Sequence, residues 1–318
     1  MIARITLPAA FLLASTTALA QSNITLSGRI DLNVGKDIGA GHTRMGSGAM
    51  SHLAFAGTED LGGGMLASFK LSTRINADSG SINTPGAMLN SPAGTYWTQE
   101  SSVGLRGGWG SLTLGRQMTA ALLPQILVDP WFWDNTTNGF AAGTGHIGNL
   151  WYNDAATYAF DAGAFSFTAQ VAAKDANPGW SGTPRKTPYS FALGYAPGPW
   201  QLRFGYEKPA DGRSKLTTLF GGYDFGTFTL NAMVAGGTDH TDASVRTWAL
   251  SSVIPAGTGQ FRASFGHYKR ADVVASQKLA LGYHHFLSKR TSVYTTFAHD
   301  SKASARKSGY EVGVQHLF

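Results

Sequence analysis

Between Ile24 and Val34 every even-numbered residue is apolar or glycine, and every odd-numbered residue is polar. Side chains on a strand point alternately to opposite faces, so this stretch needs an apolar medium on one side and a polar one on the other. Its eleven residues exceed an ordinary strand of roughly five or six and match the ~9–11 that a tilted strand needs to cross a bilayer. The pattern recurs. Ala67, Phe69 and Leu71 alternate with Ser68, Lys70, Ser72 and Arg74, and Phe165, Phe167, Ala169 and Val171 with Ser166, Thr168 and Gln170. Trp200, Leu202, Phe204 and Tyr206 face Gln201, Arg203 and Glu207, and Phe228, Leu230, Ala232 and Val234 face Thr227, Thr229 and Asn231. The last strand runs from Tyr310 to Phe318.

Composition narrows the medium. Charged residues are only 14 %, while glycine occupies 40 of 318 positions, roughly twice its usual share. A charge-poor, glycine-rich chain is a poor helical enzyme. The polar faces carry mostly Ser, Thr, Asn and Gln with isolated charges, as a wet lumen would, and aromatics gather toward strand ends, where interfacial girdles belong. A soluble sandwich would pack the apolar face as a core; long, evenly spaced strands over about 300 residues favour one closed barrel instead. The formal charge of +6 comes without a basic run, so nucleic acid is not an expected partner. With no cysteine, disulfides and thiolate metal sites are excluded.

The N-terminus predicts export. Arg4 precedes an apolar stretch, Ile5–Leu19, and Ala18-Leu19-Ala20 forms a small-x-small cleavage site before Gln21. Residues 1–20 are expected to be a signal peptide and 21–318 the barrel, with a net charge near +5. No later stretch reaches the ~18 apolar residues of a spanning helix.

Punctuation sets the topology. Short turns are expected around 60–64, 107–110, 161–163, 196–199, 224–226, 255–259 and 287–290. Longer loops are expected at about 36–49, 76–95, 117–149, 175–188, 208–215, 236–243, 269–276 and 299–307. Seven turns and eight loops join sixteen strands. The fold class is therefore all-β: a sixteen-stranded antiparallel transmembrane β-barrel of a bacterial outer membrane, with short periplasmic turns, long outer loops and an aqueous lumen.

Four blocks resemble a known family. Ser51-His52-Leu53-Ala54-Phe55-Ala56-Gly57-Thr58-Glu59-Asp60-Leu61-Gly62-Gly63-Gly64 is similar to a strand–turn motif of Gram-negative general porins of the β-proteobacterial type. Val103-Gly104-Leu105-Arg106-Gly107 and Gly110–Gln117 resemble the segment leading into their constriction loop. Leu287–Tyr294 resembles their last turn, and Val314–Phe318 their closing strand with its terminal Phe. His52 stands where that family commonly has Arg, and no base stands near Thr157, where one often occurs. The resemblance implies a homotrimeric diffusion channel whose third loop folds into the lumen. It also implies that Phe318 is a signal read by the barrel-insertion machinery.

A channel selects by width and by rings of charge at its narrowest point. Basic candidates for the constriction wall are Arg29, Lys70, Arg74, Arg106 and Arg116. Opposite them, the third loop carries Asp129 and Asp134 within Asp129-Pro130-Trp131-Phe132-Trp133-Asp134. Acid on the loop and base on the wall would set a transverse field across the eyelet. The same acids could instead cap turns, with the aromatics anchoring the loop to the wall. Asp31 and Glu100 are also expected to face the lumen. Strict parity sets Arg116 on the lipid face with Leu112 and Leu114, at a cost of about 2–4 kcal/mol at mid-bilayer, so a bulge at Gly115 is expected to redirect it.

No catalytic constellation, metal site or cofactor motif appears. Gly62-Gly63-Gly64 lacks the Lys-Ser/Thr of a phosphate loop, and His284 and His285 point to opposite faces of a strand. The expected function is passive diffusion of ions and small hydrophilic solutes, with a weak preference for anions. A substrate-specific channel and an outer-membrane hydrolase barrel are the alternatives.

Overall fold

The structure is a computed structural model that describes residues 23–48, 50–82, 94–131, 148–177 and 185–318. Residues 1–20, the expected signal peptide, lie outside the described residues. Sixteen antiparallel strands close into a barrel. In chain order they are β1 (Asn23–Lys36), β2 in two pieces (Arg44–Ser47 and His52–Gly62), β3 (Met65–Asn76) and β4 (Ser101–Gly107). Then come β5 (Gly110–Met118), β6 (Trp151–Ala162), β7 (Phe165–Ala172) and β8 (Tyr189–Tyr195). The second half holds β9 (Trp200–Lys208), β10 (Lys215–Asp224), β11 (Thr229–Thr238) and β12 (Ser244–Ala256). It ends with β13 (Gly259–Arg270), β14 (Val273–Phe286), β15 (Thr291–Asp300) and β16 (Ser308–Leu317).

Each strand pairs with the next, and β1 pairs with β16 from Arg29↔Leu317 to Lys36↔Tyr310. Closure matters because no water in a bilayer core can satisfy a free edge. The parity read from the sequence holds: Ile24, Leu26 and Val34 are outward and exposed, whereas Asp31 and Asn33 are buried. Both pieces of β2 pair with β1, and the break between them is built around Ser51 and Gly48. Asp31 N donates to Ser51 Oγ at 3.0 Å, and Gly48 N donates to Asp31 O at 2.9 Å. A Cβ on Gly48 would lie 2.0 Å from Asp31 Oδ1, so only glycine lets the chain approach there.

All seven predicted tight turns join strands at one end of the barrel. In the first, Asp60 Oδ1 accepts from Gly62 N at 2.8 Å, and Gly62, Gly63 and Gly64 all have positive φ (78°, 61° and 78°). Asp224 repeats the device, accepting from Gly226 N at 2.8 Å. At the opposite end, acids cap the loops. Asp239 accepts from Thr241 N, Thr241 Oγ1 and Ala243 N and from Arg270 Nε at 2.6 Å. Burial alone would raise its carboxyl pKa, but those donors outweigh it and hold the group below its ordinary value.

One expected loop is absent. Residues 269–276 are not a long loop: β13 and β14 run to Arg270↔Val273, leaving only Ala271 and Asp272 between them. Both have positive φ (47° and 63°), the backbone of a type I′ hairpin turn. The familiar Asn-Gly signature is missing, which hides the turn in the sequence. A left-handed residue other than glycine costs about 1–2 kcal/mol. Replacing Ala271-Asp272 by Asn-Gly is therefore expected to stabilise the barrel by about 1 kcal/mol, seen as a higher denaturant midpoint in detergent. An unchanged midpoint would show that the turn carries no such strain.

Candidate functional site

The third loop, between β5 and β6, runs along the inside of the barrel. It opens with a short 3-10 turn (Ala120–Leu122) and a one-turn helix, α1 (Leu123–Leu127), with proline in its first turn. Ala120 N donates to Ser190 Oγ of β8 at 3.1 Å. A Cβ on Gly205 of β9 would meet Ala121 O at 3.0 Å, so that glycine lets the turn lie flat on the wall. Val128 then packs with Phe220, Met233 and Ala249 of β10, β11 and β12. Trp131, 3 % exposed, packs on Ala280 and Ala298 of β14 and β15. Residues 119–131 thus follow the inner wall across half the barrel, an inward fold of the kind the family resemblance implied.

The returning end is pinned as well. Glu207 of β9 is buried, and its Oε1 accepts from Asn149 N and Tyr152 Oη, both at 2.8 Å. Asp129 Oδ1 accepts from Trp131 N at 2.9 Å, so this acid caps a turn. It also interacts electrostatically with Arg262 of β13 and Lys278 of β14. Asp134, with Phe132 and Trp133, lies outside the described residues.

The predicted wall bases separate into three groups. Arg29 of β1, His52 of β2 and Arg74 of β3 stand in direct cross-strand register, Arg29↔His52 and His52↔Arg74. They form one row of basic side chains on the lumen face. Lys70, four residues nearer the tight-turn end on that face, pairs with Glu100 at 2.9 Å. Arg106 lies one residue before the Gly107–Gly110 turn, opposite Leu66 and Ser111, at the barrel's rim and well below the third loop.

Arg116 is the third case. The bulge is present: register slips between Gly115 and Gln117 opposite β6, and Gly115 has φ +117°. Arg116 is nevertheless only 7 % exposed. It donates to the Thr98 carbonyl through Nη2 at 2.7 Å and Nε at 3.2 Å, and to Asn153 Oδ1, and it lies over the Trp151 ring. It clips the strand ends together; it does not present its charge to the lumen.

Arg262 and Lys278 were not singled out in the sequence, yet they line the lumen beside Asp129. Gln260, in the amide orientation its neighbours require, accepts from Arg262 Nη2 at 2.6 Å and Nε at 2.8 Å. His284 stacks on Tyr294, ring centroids 4.9 Å apart, and Tyr294 Oη donates to Asp31 at 2.6 Å. Parity would have found both bases: Gln260, Arg262 and Ser264 alternate with Phe261, Ala263 and Phe265, and Lys278, Ala280 and His284 share one face. Beneath the loop is a cavity of about 360 Å³, lined by Asp129, Pro130, Gln201, Asn231, Gln260 and Arg262 among others.

Truncating Trp131 to Ala removes about 3–5 kcal/mol of packing, enough to free the loop from β14 and β15. Single-channel conductance is expected to rise and its noise to increase. Gly282→Val should do the same, because a Cβ there would sit 2.9 Å from Trp131 Cζ2. Conductance unchanged in both variants would mean that this anchor does not set the pore width.

The profile of Gram-negative porins matches residues 6–304. Outer membrane porin protein 32 of Delftia acidovorans is 29 % identical over 366 aligned positions, covering 97 % of this chain and 98 % of that one. An outer membrane porin protein of Bordetella pertussis is 24 % identical, covering 98 % and 99 %. Among solved structures, an anion-selective porin from Comamonas acidovorans superposes with a TM-score of 0.74 at 24 % identity, covering 94 % of this chain and 100 % of that one. An inward-folded loop over a polar lumen, inside a closed sixteen-stranded barrel, agrees with those matches: the chain belongs to the Gram-negative porin family, an outer-membrane protein whose barrel is a diffusion channel.

Proposed function

We propose that this porin passes ions and small hydrophilic solutes with a weak preference for anions, and that it works as a homotrimer without catalytic chemistry or a cofactor. The observation that carries the preference is the row Arg29, His52, Arg74. Adjacent strands lie about 4.8 Å apart, so Arg29 and Arg74 stand about two strand spacings from each other on either side of the His52 imidazole, and their two charges project a common field into the lumen. Arg262 and Lys278 extend that basic lining on the side where the loop rests, and Asp129 offsets part of it. Glu100 offsets Lys70. The balance is a modest bias, not strict exclusion. The structurally similar porin of Comamonas acidovorans, which is anion-selective, supports the same sign.

Of the bases read from the sequence, Arg29 and Arg74 carry the selectivity in this proposal, with Lys70 secondary. Arg106 acts only at the rim, and Arg116 acts as a wall clip. If Asp134 adds an acid to the loop, it lowers the bias further. A substrate-specific channel would show saturating flux, whereas a diffusion pore gives flux linear in concentration.

Reversal potentials in a KCl gradient test the row. The wild-type channel should favour anions, and Arg29→Gln/Arg74→Gln should move it toward cations. The shift should be larger at 0.1 M than at 1 M salt, where the Debye length falls from about 10 Å to about 3 Å. Arg116→Gln should leave the potential in place and lower the unfolding temperature. A cation-selective wild type would overturn the proposal.

Phe318 is proposed as the assembly signal. Its backbone pairs with Gly28 through Gly28 N to Phe318 O at 3.0 Å and Phe318 N to Gly28 O at 3.1 Å. Its ring lies over Gly28 on the outward face, 39 % exposed. Phe318→Asp should cut the amount of heat-resistant oligomer in the outer membrane while channels that do assemble conduct normally. Wild-type abundance of oligomer would refute this role.

A further inference from the structure

On the loop-side rim of the barrel, four cations face away from the lumen within a run of five consecutive strands, β9 to β13. Lys208 of β9 follows Phe204 and Tyr206 on the outward face, and Lys215 of β10 precedes Thr217 and Leu219 on it. The β9–β10 ladder runs to Glu207↔Leu216, so Lys208 and Lys215 are the next pair across it. Two strands on, Arg246 of β12 is directly opposite Lys269 of β13, one step above the stacked pair Trp248 and His267. Cross-strand neighbours of like charge are destabilising. Here two such pairs share one face, and none of the four cations makes an ion pair among the described residues.

Nothing in the described residues neutralises them. The outward positions of β9 through β13 carry no acidic side chain. Of the acids in the loops above, Asp211 accepts from Arg213 N and Ser214 N, Asp239 holds Arg270, and Asp242 pairs with Arg213 at 3.5 Å. Asp272, at the tip of the β13–β14 turn, makes no ion pair with either Arg246 or Lys269. Between the two cation pairs β11 presents only Gly236 and Thr238. A Cβ on Gly236 would meet a single atom, Val245 O at 3.6 Å, so the surface there is an open saddle. Its two sides are two strand spacings apart, about 10 Å. Below it, Leu219, Val234, Trp248 and Leu250 are exposed on the apolar belt.

A lone Lys at a bilayer interface merely extends toward water. Paired cations around a saddle, with apolar surface directly beneath, match an amphiphile with an anionic head and hydrocarbon chains. We propose that the outward rim of β9–β13 binds a lipid of the outer leaflet whose headgroup carries phosphate. The phosphate sits over Gly236 between Lys208/Lys215 and Arg246/Lys269, and the chains run down the belt past Leu219 and Trp248. The site faces lipid and is independent of lumen selectivity.

The test uses the full-length protein, purified in a non-ionic detergent, with short-chain phosphatidic acid as the probe. Diacylglycerol of the same chains and inorganic phosphate serve as comparisons. Native mass spectrometry should show phosphatidic acid retained by wild type and bound roughly tenfold or more weakly by Lys208→Gln/Lys215→Gln/Arg246→Gln/Lys269→Gln. Lys36→Gln, an outward cation on β1 without a cationic cross-strand neighbour, should bind as wild type does. Either pair neutralised alone should lose part of the affinity, which keeps the test usable if the quadruple variant assembles badly. Phosphatidic acid should raise the melting temperature of wild type and not of the quadruple variant. Equal binding by the quadruple variant, or equal stabilisation by diacylglycerol or inorganic phosphate, would overturn the proposal. So would a lipid-free quadruple variant that melts well below wild type, since the cations would then be holding the barrel together.

Discussion

Every feature of this molecule answers to the hydrogen-bond ladder that closes β1 onto β16. Hydrocarbon offers no partner to a peptide group, so an unpaired strand edge there costs several kcal/mol per group. A closed ladder removes the edge and leaves the side chains free to differ on the two faces. On β1 the polar side chains of Asp31 and Asn33 are therefore buried, while Ile24 and Leu26 are exposed. This inverts a soluble protein, where burial selects apolar residues. It also explains how Asp31 can be wholly enclosed: Tyr294 and Gln315 bring donors to its carboxylate, and Gly48 N and Ser51 Oγ donate to its carbonyl.

The rule that the inner face is polar is broken by several apolar clusters, and one of them positions the pore. Phe220, Met233 and Ala249 point inward on β10, β11 and β12, where water would be expected. Val128 of the third loop covers them. The loop's own sequence supplies the matching surface, with α1 too short to be stable alone and held by what it lies on. Trp131 completes the path on Ala280 and Ala298, against a Gly282 that leaves room for the ring. Pore width is thus a packing property of the wall, not only of the loop.

Period-two alternation and glycine-bearing turns made the barrel, its strand number and the lumen face of Arg29, Lys70 and Arg74 legible. The two-residue turn at Ala271-Asp272 was not, because its left-handed backbone is imposed by two long flanking strands and no local signature marks it. Parity placed side chains on faces but said nothing of height, so Arg106 reads like Arg74 although it lies at the rim. Nor does parity tell which partners surround a base. The bulge at Gly115 was legible; that it delivers Arg116 to the Thr98 carbonyl and Asn153 depends on the second loop, which carries Thr98, and on Ala176 and Asn177 after β7, which hold Asn153. Arg262 and Lys278 carried a readable signal in their own alternation, and only their proximity to Asp129 needed the structure.

The cations divide by what surrounds them, and the division bears on function. Arg270 and Arg44 lie against Asp239 and Asp37, where they tie loops to the rim. Arg116 is enclosed by neutral acceptors, where its desolvation is offset by hydrogen bonds and it can do little but hold strands. Arg29 and Arg74 inside, on either side of His52, and Arg246 with Lys269 outside, are instead set near one another. Mutual repulsion makes that arrangement unfavourable for the protein alone. It becomes favourable when an anion is present, whether a permeating ion in the lumen or a headgroup at the membrane surface. Like-charge register is thus the feature by which a barrel of small charge content turns its few fixed cations outward from its own stability and toward what it meets.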